Sequence, residues 1–417
     1  MIGEKQRKVL AFQYSRYDAL ICDGAIRSGK TSVMFWAYVR WAMESFDGCN
    51  FIVLGKTVGS AVRNVIDPFL MMAETRRTYS ARYKRSECMM QVRGFGHENR
   101  FMVFGAKDES SYMLIQGFTA AGCFVDETAL CVESAVNQAL ARCSVDGSRF
   151  WFNCNPGSPT HWFYKGWIQR AAERNALYLH FTMEDNPGIS DRVRKRYESQ
   201  YSGVFYARYI LGLWTQAEGL AYPSHEDAYE ERYTGEAVQR CVSVDYGTQN
   251  PCVAIMWAKS PDGVWHATDE YYYSGREEGR QKTNPEYVRD LVKFCSSMPP
   301  GEVEVIVDPS ATSFIAELRR YEDKGRFFRV RKAKNDIISG IEDTASAMQV
   351  GKVKFAKTMR RTDEEFKSYV WDPKGDSDRP VKENDHAMDA IRYLIYTKRV
   401  MQDEAEGAYA SPFGRFA

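Results

Sequence analysis

The sequence holds ten cysteines in 417 residues, but no CxxC pair and no Cys/His cluster at zinc-ligand spacing. That excludes a zinc finger and a redox dithiol, and leaves buried, reduced thiols as the expectation. No window approaches 18 consecutive apolar residues, so no membrane-spanning helix is expected. The charged opening MIGEKQRKVL lacks the apolar core of a secretory signal, which points to a soluble, intracellular chain. An excess of one charge sign is also missing, since 56 Lys and Arg stand against 55 Asp and Glu. Any hold on a polyanion must therefore come from local patches. Repeats and low-complexity tracts are absent, and a composition 44% hydrophobic and 14% aromatic is that of packed interiors rather than disorder.

The chain is too long for one ordinary core, and its pattern falls into two halves. In the first, short β-rich runs at 19–22, 51–54, 101–104, 122–125, 150–154 and 177–181 alternate with helical patterns at 31–43, 58–75, 132–142 and 190–201. Such alternation predicts an α/β domain around a largely parallel sheet. The pattern becomes irregular around Gly219 and Pro223, and a fresh strand opens near Cys241. The expected division is a nucleotide-binding domain over 1–219, a linker over 220–238 and a second α/β domain over 239–417. In the second domain strands are expected at 241–244, 253–258, 265–272 and 303–307. Helices are expected at 285–296, 312–321, 337–348 and 386–399, and the last dozen or so residues read as a loose tail.

The first candidate site is Gly24-Ala25-Ile26-Arg27-Ser28-Gly29-Lys30-Thr31, which matches GxxxxGK[ST] between a strand and a helix. Glycines let backbone N–H groups turn toward phosphate oxygens, Lys30 can reach the β/γ-phosphates of ATP, and the Thr31 hydroxyl can ligate Mg²⁺. Downstream, the apolar run Gly122–Val125 ends in Asp126 and Glu127. Asp126 is expected to hold the Mg²⁺, and Glu127 to orient and deprotonate the attacking water, which favours hydrolysis over mere sensing. Softer candidates surround them. Phe12 and Gln13 are placed to stack on and read adenine. Asn153-Cys154-Asn155 follows the next strand, where a γ-phosphate sensor fits. Arg27 and Arg142 are candidate transition-state cations.

The second candidate site is three separated carboxylates. Val242-Ser243-Val244-Asp245 and Val305-Ile306-Val307-Asp308 are apolar strands ending in aspartate. Asn384-Asp385-His386-Ala387-Met388-Asp389 then puts Asp385 and Asp389 on one helix face, with His386 three residues before Asp389. Strand-Asp, strand-Asp, helix-Asp is the order of RNase H-like nucleases. Hard oxygen donors suit two Mg²⁺ or Mn²⁺ ions flanking a scissile phosphate. His386 and Asp385 are auxiliary candidates for metal binding or proton transfer.

With both sites in view, the chain resembles large terminase subunits of tailed double-stranded DNA bacteriophages, particularly the PBSX-like branch. The resemblance runs in order over nearly the whole length: GAIRSGKT, GCFVDE, NCNPGSPTHWFY, Asp185-Asn186-Pro187, Gly212-Leu213-Trp214, VSVDYGTQNP, VIVDPS and VKENDHAMDAIRY. It implies a packaging ATPase of the ASCE type joined to an RNase H-like nuclease that cuts concatemeric DNA. Lys30, Thr31, Asp126 and Glu127 would then serve ATP hydrolysis, Asn155 would couple hydrolysis to movement, and Asp245, Asp308 and Asp389 would bind the nuclease metals. Implied partners are double-stranded DNA, a small terminase subunit and the procapsid portal. The chain would be a monomer in solution and a ring when docked. It would work in the host bacterial cytoplasm, transiently at the portal, and be absent from the mature virion. Two positions depart from the family: Asn153 stands where many relatives have Thr or Ser, and Gln116 where they have a basic residue.

For DNA contact, the densest basic stretch runs from Lys324 to Lys334 and contains Arg326, Arg329, Arg331 and Lys332. Arg192, Arg194, Lys195 and Arg196 read as a solvated helix face. Two other readings stand beside the motor-nuclease. One is a helicase- or recombination-type ATPase with an RNase H-like platform that only binds DNA. The other is a nucleotide-dependent assembly protein. Three convergent aspartates argue against the platform, and Glu127 argues against the assembly protein.

Overall fold

The structure, a computed structural model, describes residues 2–108, 111, 113, 115–298, 302–323, 326–372 and 378–401. Lys324 and the expected tail lie outside the described residues. The chain forms two compact units. One comprises the described residues up to Glu198 with Val204–Gln216, and the other starts at Ala217 and includes Ser199–Gly203.

The first unit holds β1 (Ala19–Gly24), β2 (Asn50–Gly55), β3 (Ser80–Lys84), β4 (Met89–Gly94), β5 (His97–Gly105), β6 (Gly122–Val125), β7 (Arg149–Asn153) and β8 (Ala176–Phe181). They form one sheet in the order β3-β4-β5-β2-β6-β7-β1-β8. From β5 to β8 every pairing is parallel. Both faces of the central strands β2, β6, β7 and β1 are covered, which is why they read as continuous apolar runs. Along β6, Phe124 joins the core on one face, with Tyr38, Phe51 and Trp151, while Cys123 and Val125 join the core on the other, with Phe152 and Trp167. Trp151 is fully buried, and truncating it to alanine is worth about 3–5 kcal/mol. Strand β7 sits between the phosphate-loop strand β1 and the acid-tipped strand β6, which is the ASCE order.

Two first-unit expectations differ from the structure. The helix expected over 58–75 is broken into short pieces, with a π-turn at Val62–Ile66 and Pro68 at the start of the next turn. Proline's missing N–H and ring clash break such a ladder. The antiparallel pair β3–β4 was not expected, because its outer strand is only five residues long and sets Arg82 and Lys84 among its two partly buried apolar residues, Ala81 and Tyr83.

The second unit holds β9 (Tyr229–Glu230), β10 (Gln239–Asp245), β11 (Cys252–Lys259), β12 (Trp265–Tyr273), β13 (Glu302–Val307), β14 (Glu322–Asp323), β15 (Arg326–Lys332) and β16 (Val353–Ala356), in the order β14-β15-β13-β10-β11-β12-β16-β9. Strands β10, β11 and β12 are antiparallel neighbours, and β13 and β15 add in parallel beside β10. That is the RNase H-like sheet. The helices Asn284–Phe294 and Thr312–Arg320 bury Tyr287, Leu291, Phe314 and Leu318 against its valine face. Residues 220–238, expected as a linker, lie in this unit: Tyr222 is buried, Ala221 donates to the Tyr369 carbonyl, and β9 pairs with β16.

All ten cysteines are free thiols. Among the described residues no helix is long and apolar enough to cross a membrane.

Candidate functional site

The phosphate loop leaves β1 at Gly24, whose φ is +121°. A Cβ there would stand 1.9 Å from the Phe181 carbonyl oxygen, so the tight exit from the strand requires glycine. Ala25 N–H donates to Phe181 O at 2.8 Å and Ile26 N–H to Tyr209 O at 2.9 Å, which pins the loop to β8 and to the 206–214 segment. Beneath it, Asp23 is fully buried and accepts from the Trp214 indole at 2.6 Å, with His180 Nδ1 3.0 Å from its other oxygen. The helix Lys30–Ser45 starts at the end of the loop, so its first N–H groups face the same space.

Lys30 is buried. Its Nζ donates to Asn155 Oδ1 at 2.6 Å and to the loop carbonyls of Ala25 and Gly24 at 3.0 and 3.3 Å. Burial lowers its pKa. The Asn153 amide Nδ2 donates to Asp126 Oδ1 at 2.6 Å and to Thr31 Oγ1 at 2.9 Å, so one side chain ties the two motifs together. Glu127 has a φ of +50°, a left-handed turn that redirects the chain after β6. Burial and the neighbouring Glu127 push the Asp126 carboxyl up, and burial pushes Glu127 up against the pull of Arg63 and Lys56. Two buried acids with raised pKa values, beside a buried lysine, are an arrangement made to receive a cation and a polyanion.

These groups share the wall of one cavity of about 460 Å³. Its far side is built by Asn186, Ile189, Ser190, Val193, Arg196 and Tyr197. Asn186 donates to the Arg27 carbonyl at 2.7 Å, and Arg27 stacks over the Tyr197 ring at 5.2 Å. Arg27 therefore lies on the cavity wall, whereas Arg142 does not. Arg196, read from sequence as solvated, faces the cavity. Gln116 is exposed on a turn outside the cavity wall.

Gln13 is not on that wall either. It donates to Glu44 at 3.0 Å, while Phe12 is buried edge-on against Trp151 at 4.7 Å. Another glutamine lies beside the loop, likewise off the cavity wall. Gln6, on α1 (Glu4–Ala11), is buried with its Nε2 unpaired, 2.8 Å from where a Cβ on Gly29 would stand. Ser28 Oγ, inside the loop, is likewise buried and unpaired. Orphaned buried donors around an anion cradle mark where ligand atoms belong. Gln6 was illegible in sequence because it sits on a charged amphipathic helix with no motif of its own.

In the second unit, Asp245 ends β10 and Asp308 follows β13, parallel neighbours in the sheet. The helix His386–Lys398 packs against them. Tyr393 donates to Asp308 Oδ2 at 2.8 Å and lies 3.4 Å from Asp245 Oδ1, so it bridges the two acids. His386 Nδ1 stands 2.9 Å from Asp245 Oδ2. Asp389 is turned to Arg392, 2.7 Å away. Burial, together with the negative charges of Asp389 and Asp385 and against the pull of His386, pushes the Asp245 carboxyl up to about 6. Burial also acts on Asp308, but hydrogen bonds from Ser310 and Tyr393 hold it below the usual carboxylate range. Asp385 is raised by burial and by Asp389.

Hard oxygen donors and surplus negative charge suit a divalent cation. As they stand, Asp245 and Asp308 are brought together and Asp389 faces its own partner. Among the described residues no three His, Cys, Asp or Glu side chains close on one point. Sequence reading missed Glu365, buried on the helix Arg360–Ser368. Its Oε2 accepts from the N–H groups of Ala387 and Met388 at 2.6 and 3.4 Å and so caps the acidic helix.

Of the basic residues on β15, Arg329 pairs with Glu302 at 3.0 Å and Arg331 with Glu304 at 3.5 Å. Lys332 is exposed and in register with Val307, one residue before Asp308. The side chain of Arg326 lies outside the described residues.

A family model described as the terminase large subunit, T4likevirus-type, N-terminal, matches residues 21–226, a span that contains the phosphate loop, the acidic pair and Asn155. No curated protein sequence matches the chain. Among solved structures, the large terminase from a thermophilic bacteriophage superposes with a TM-score of 0.90 at 45% identity, covering 95% of this chain and 99% of that one. The same protein in complex with ADP gives 0.88, and in complex with ATP-gamma-S 0.87, each at 44% identity and covering the same 95% and 99%. Fold order, site geometry and this likeness over nearly the full length together place the chain in the family of phage large terminase subunits.

Proposed function

We propose that this large terminase hydrolyses ATP in its first unit to move double-stranded DNA into a procapsid, and cuts that DNA with the aspartates of its second. The observation that carries the reading is the assembled nucleotide site, with Lys30, Thr31, Asp126, Glu127 and Asn155 on one cavity wall. Loop N–H groups, Ser28 and Lys30 hold the phosphates of ATP. Thr31 and Asp126 would hold a Mg²⁺, which would offset phosphate charge. Glu127 takes the proton of the attacking water. Lys30 must release Asn155 to reach the γ-phosphate, and that exchange is the step by which Asn155 senses the nucleotide. The base lies against Tyr197 and Ile189, with Gln6 beside the loop in the role first expected of Gln13.

In the second unit Asp245, Asp308 and Asp389 would hold Mg²⁺ or Mn²⁺, two ions in this reading, whose chemistry would be to activate a water and stabilise the leaving oxygen. His386 keeps Asp245 in place. Lys332, beside Asp308, contacts a DNA phosphate, with Arg326 as a further candidate. Arg329 and Arg331 spend their charge on Glu302 and Glu304. Partners in this reading are a small terminase subunit and the portal. The chain is a monomer in solution and a ring when docked, and it acts in the host bacterial cytoplasm without entering the mature virion. Family membership supports these assignments.

The test is plasmid cleavage with Mg²⁺ or Mn²⁺ beside ATP turnover. Asp308→Ala should lose cleavage and keep ATPase activity. Glu127→Gln should bind nucleotide without turning it over. Equal loss of both activities in Asp308→Ala, or full turnover in Glu127→Gln, would overturn the assignments.

A further inference from the structure

Each carboxylate expected at the nuclease metals is held by a partner on the helix that carries Asp389: His386 on Asp245, Tyr393 on Asp308 and Arg392 on Asp389. Arg392 is the odd member. It is a charged side chain 2% exposed, and its Nε has no hydrogen-bond partner. A buried guanidinium is costly to the fold, and an apolar residue of similar volume would pack this interface better. Room for it is made on the neighbouring helix Ile337–Gln349 by Gly340, where a Cβ would stand 2.3 Å from Arg392 Cγ and 2.5 Å from Cδ. Glycine inside a helix is a second cost. With its stem against Gly340 and Nη1 3.3 Å from the Asp336 carbonyl, the side chain has one place to put Nη2, which is 2.7 Å from Asp389 Oδ1. Among the described residues, the other oxygen of Asp389 takes no hydrogen bond.

We propose that Arg392 is a positioning residue of the nuclease centre: wedged by Gly340, it holds Asp389 in one orientation and so sets the affinity of the site for its divalent cation. The inference rests on the reading of Asp389 as a metal ligand. Charge alone argues the opposite way, since removing a cation from beside the acids should tighten metal binding. That opposition makes the sign of the effect decisive. Groups that orient metal ligands from behind change metal affinity by about 10–100-fold when removed.

The experiment is calorimetric titration of the full chain with MnCl₂ in the absence of nucleotide, counting only the binding that Asp245→Ala abolishes. Asp389→Asn should weaken it. Arg392→Gln should weaken it by about 10–100-fold with ATP turnover unchanged, and Arg392→Lys should recover part of the loss. Wild-type or tighter binding by Arg392→Gln, with Asp389→Asn weakened, would overturn the positioning role alone. Unaltered binding by Asp389→Asn would overturn the ligand reading beneath it. If Arg392→Gln does not fold, Arg392→Lys and Gly340→Ala decide: both should bind Mn²⁺ more weakly, and wild-type affinity in both sinks the proposal.

Discussion

The side-chain amide of Asn153 donates to Asp126 at 2.6 Å, and the same nitrogen reaches Thr31 at 2.9 Å. The last residue of β7 thereby sets the spacing of the two oxygens that would share a Mg²⁺. Substituting alanine leaves the pair without that brace. Turnover of ATP should fall by about 10–100-fold, with a higher Mg²⁺ requirement, as for other groups that orient metal ligands. Threonine, with one donor, should retain more than alanine. Steady-state rates across a Mg²⁺ series check this, and an Asn153→Ala variant with wild-type rates and Mg²⁺ dependence would refute it.

Gln6 and Gln13 should separate cleanly. Gln6 Oε1 accepts from Gly3 N–H at 2.9 Å, while its Nε2 is unpaired beside the loop. Gln6→Met therefore removes the donor without adding a charge, and the Gly3 contact goes with it. A fluorescent ATP analogue should bind roughly tenfold more weakly, the worth of about one hydrogen bond. Gln13→Ala, which loses only a surface contact to Glu44, should bind it normally. The reverse ranking would restore the role first read for Gln13.

Gly212 leans on the loop from behind. Its φ is +73°, and a Cβ would stand 3.0 Å from both Ala25 N and His180 Cε1. Gly212→Ala combines a left-handed backbone with a close contact, at a cost of about 1–2 kcal/mol. Differential scanning calorimetry should show a lower first-unit transition, by about 2–8 °C. ATP binding should weaken with it. An unchanged transition would mean that the 206–214 segment does not brace the loop.

Asp343 offers a pH test away from both sites. Burial pushes its carboxyl up to about 6 from the ordinary 3.8, and Oδ2 has no hydrogen-bond partner. The folded protein therefore keeps a proton between those values that the unfolded chain has already released. Wild-type stability should fall as pH rises from about 4 through 6, and this contribution should be flat above. Asp343→Asn never has to bury the charge. Its stability in thermal unfolding should match the wild type near pH 4 and exceed it at pH 7 by about 1–3 kcal/mol. A constant difference across that range would mean Asp343 titrates normally.

Much of both sites was legible in sequence because their chemistry is local. A phosphate loop needs a strand, a glycine turn and a helix in immediate succession, so Gly24–Thr31 announces itself within one stretch of chain. Asp126, Asp245 and Asp308 could be seen because each ends an apolar run. Gln6, Glu365 and the contact between Gly340 and Arg392 could not. Each acts on a residue far along the chain, and each looks by itself like an ordinary position on an amphipathic helix. The strand pair β3–β4 was hidden for a related reason: Ala81, Tyr83, Met90 and Val92 pack on the core, but the strands are short and interrupted by charged residues.

The sequence by itself determined which backbone segments carry phosphate-binding and acidic chemistry, and that these fall in two α/β units. Hydrophobic period and turn residues act over a few positions and need no partner. Only the tertiary structure decided which side chains meet: that Asn153 joins Thr31 to Asp126, that Gln6 rather than Gln13 lies by the loop, and that Tyr393 bridges Asp245 and Asp308. Those pairings depend on strand order and on helices packing across a sheet, where these neighbours in space stand up to 148 residues apart in the chain.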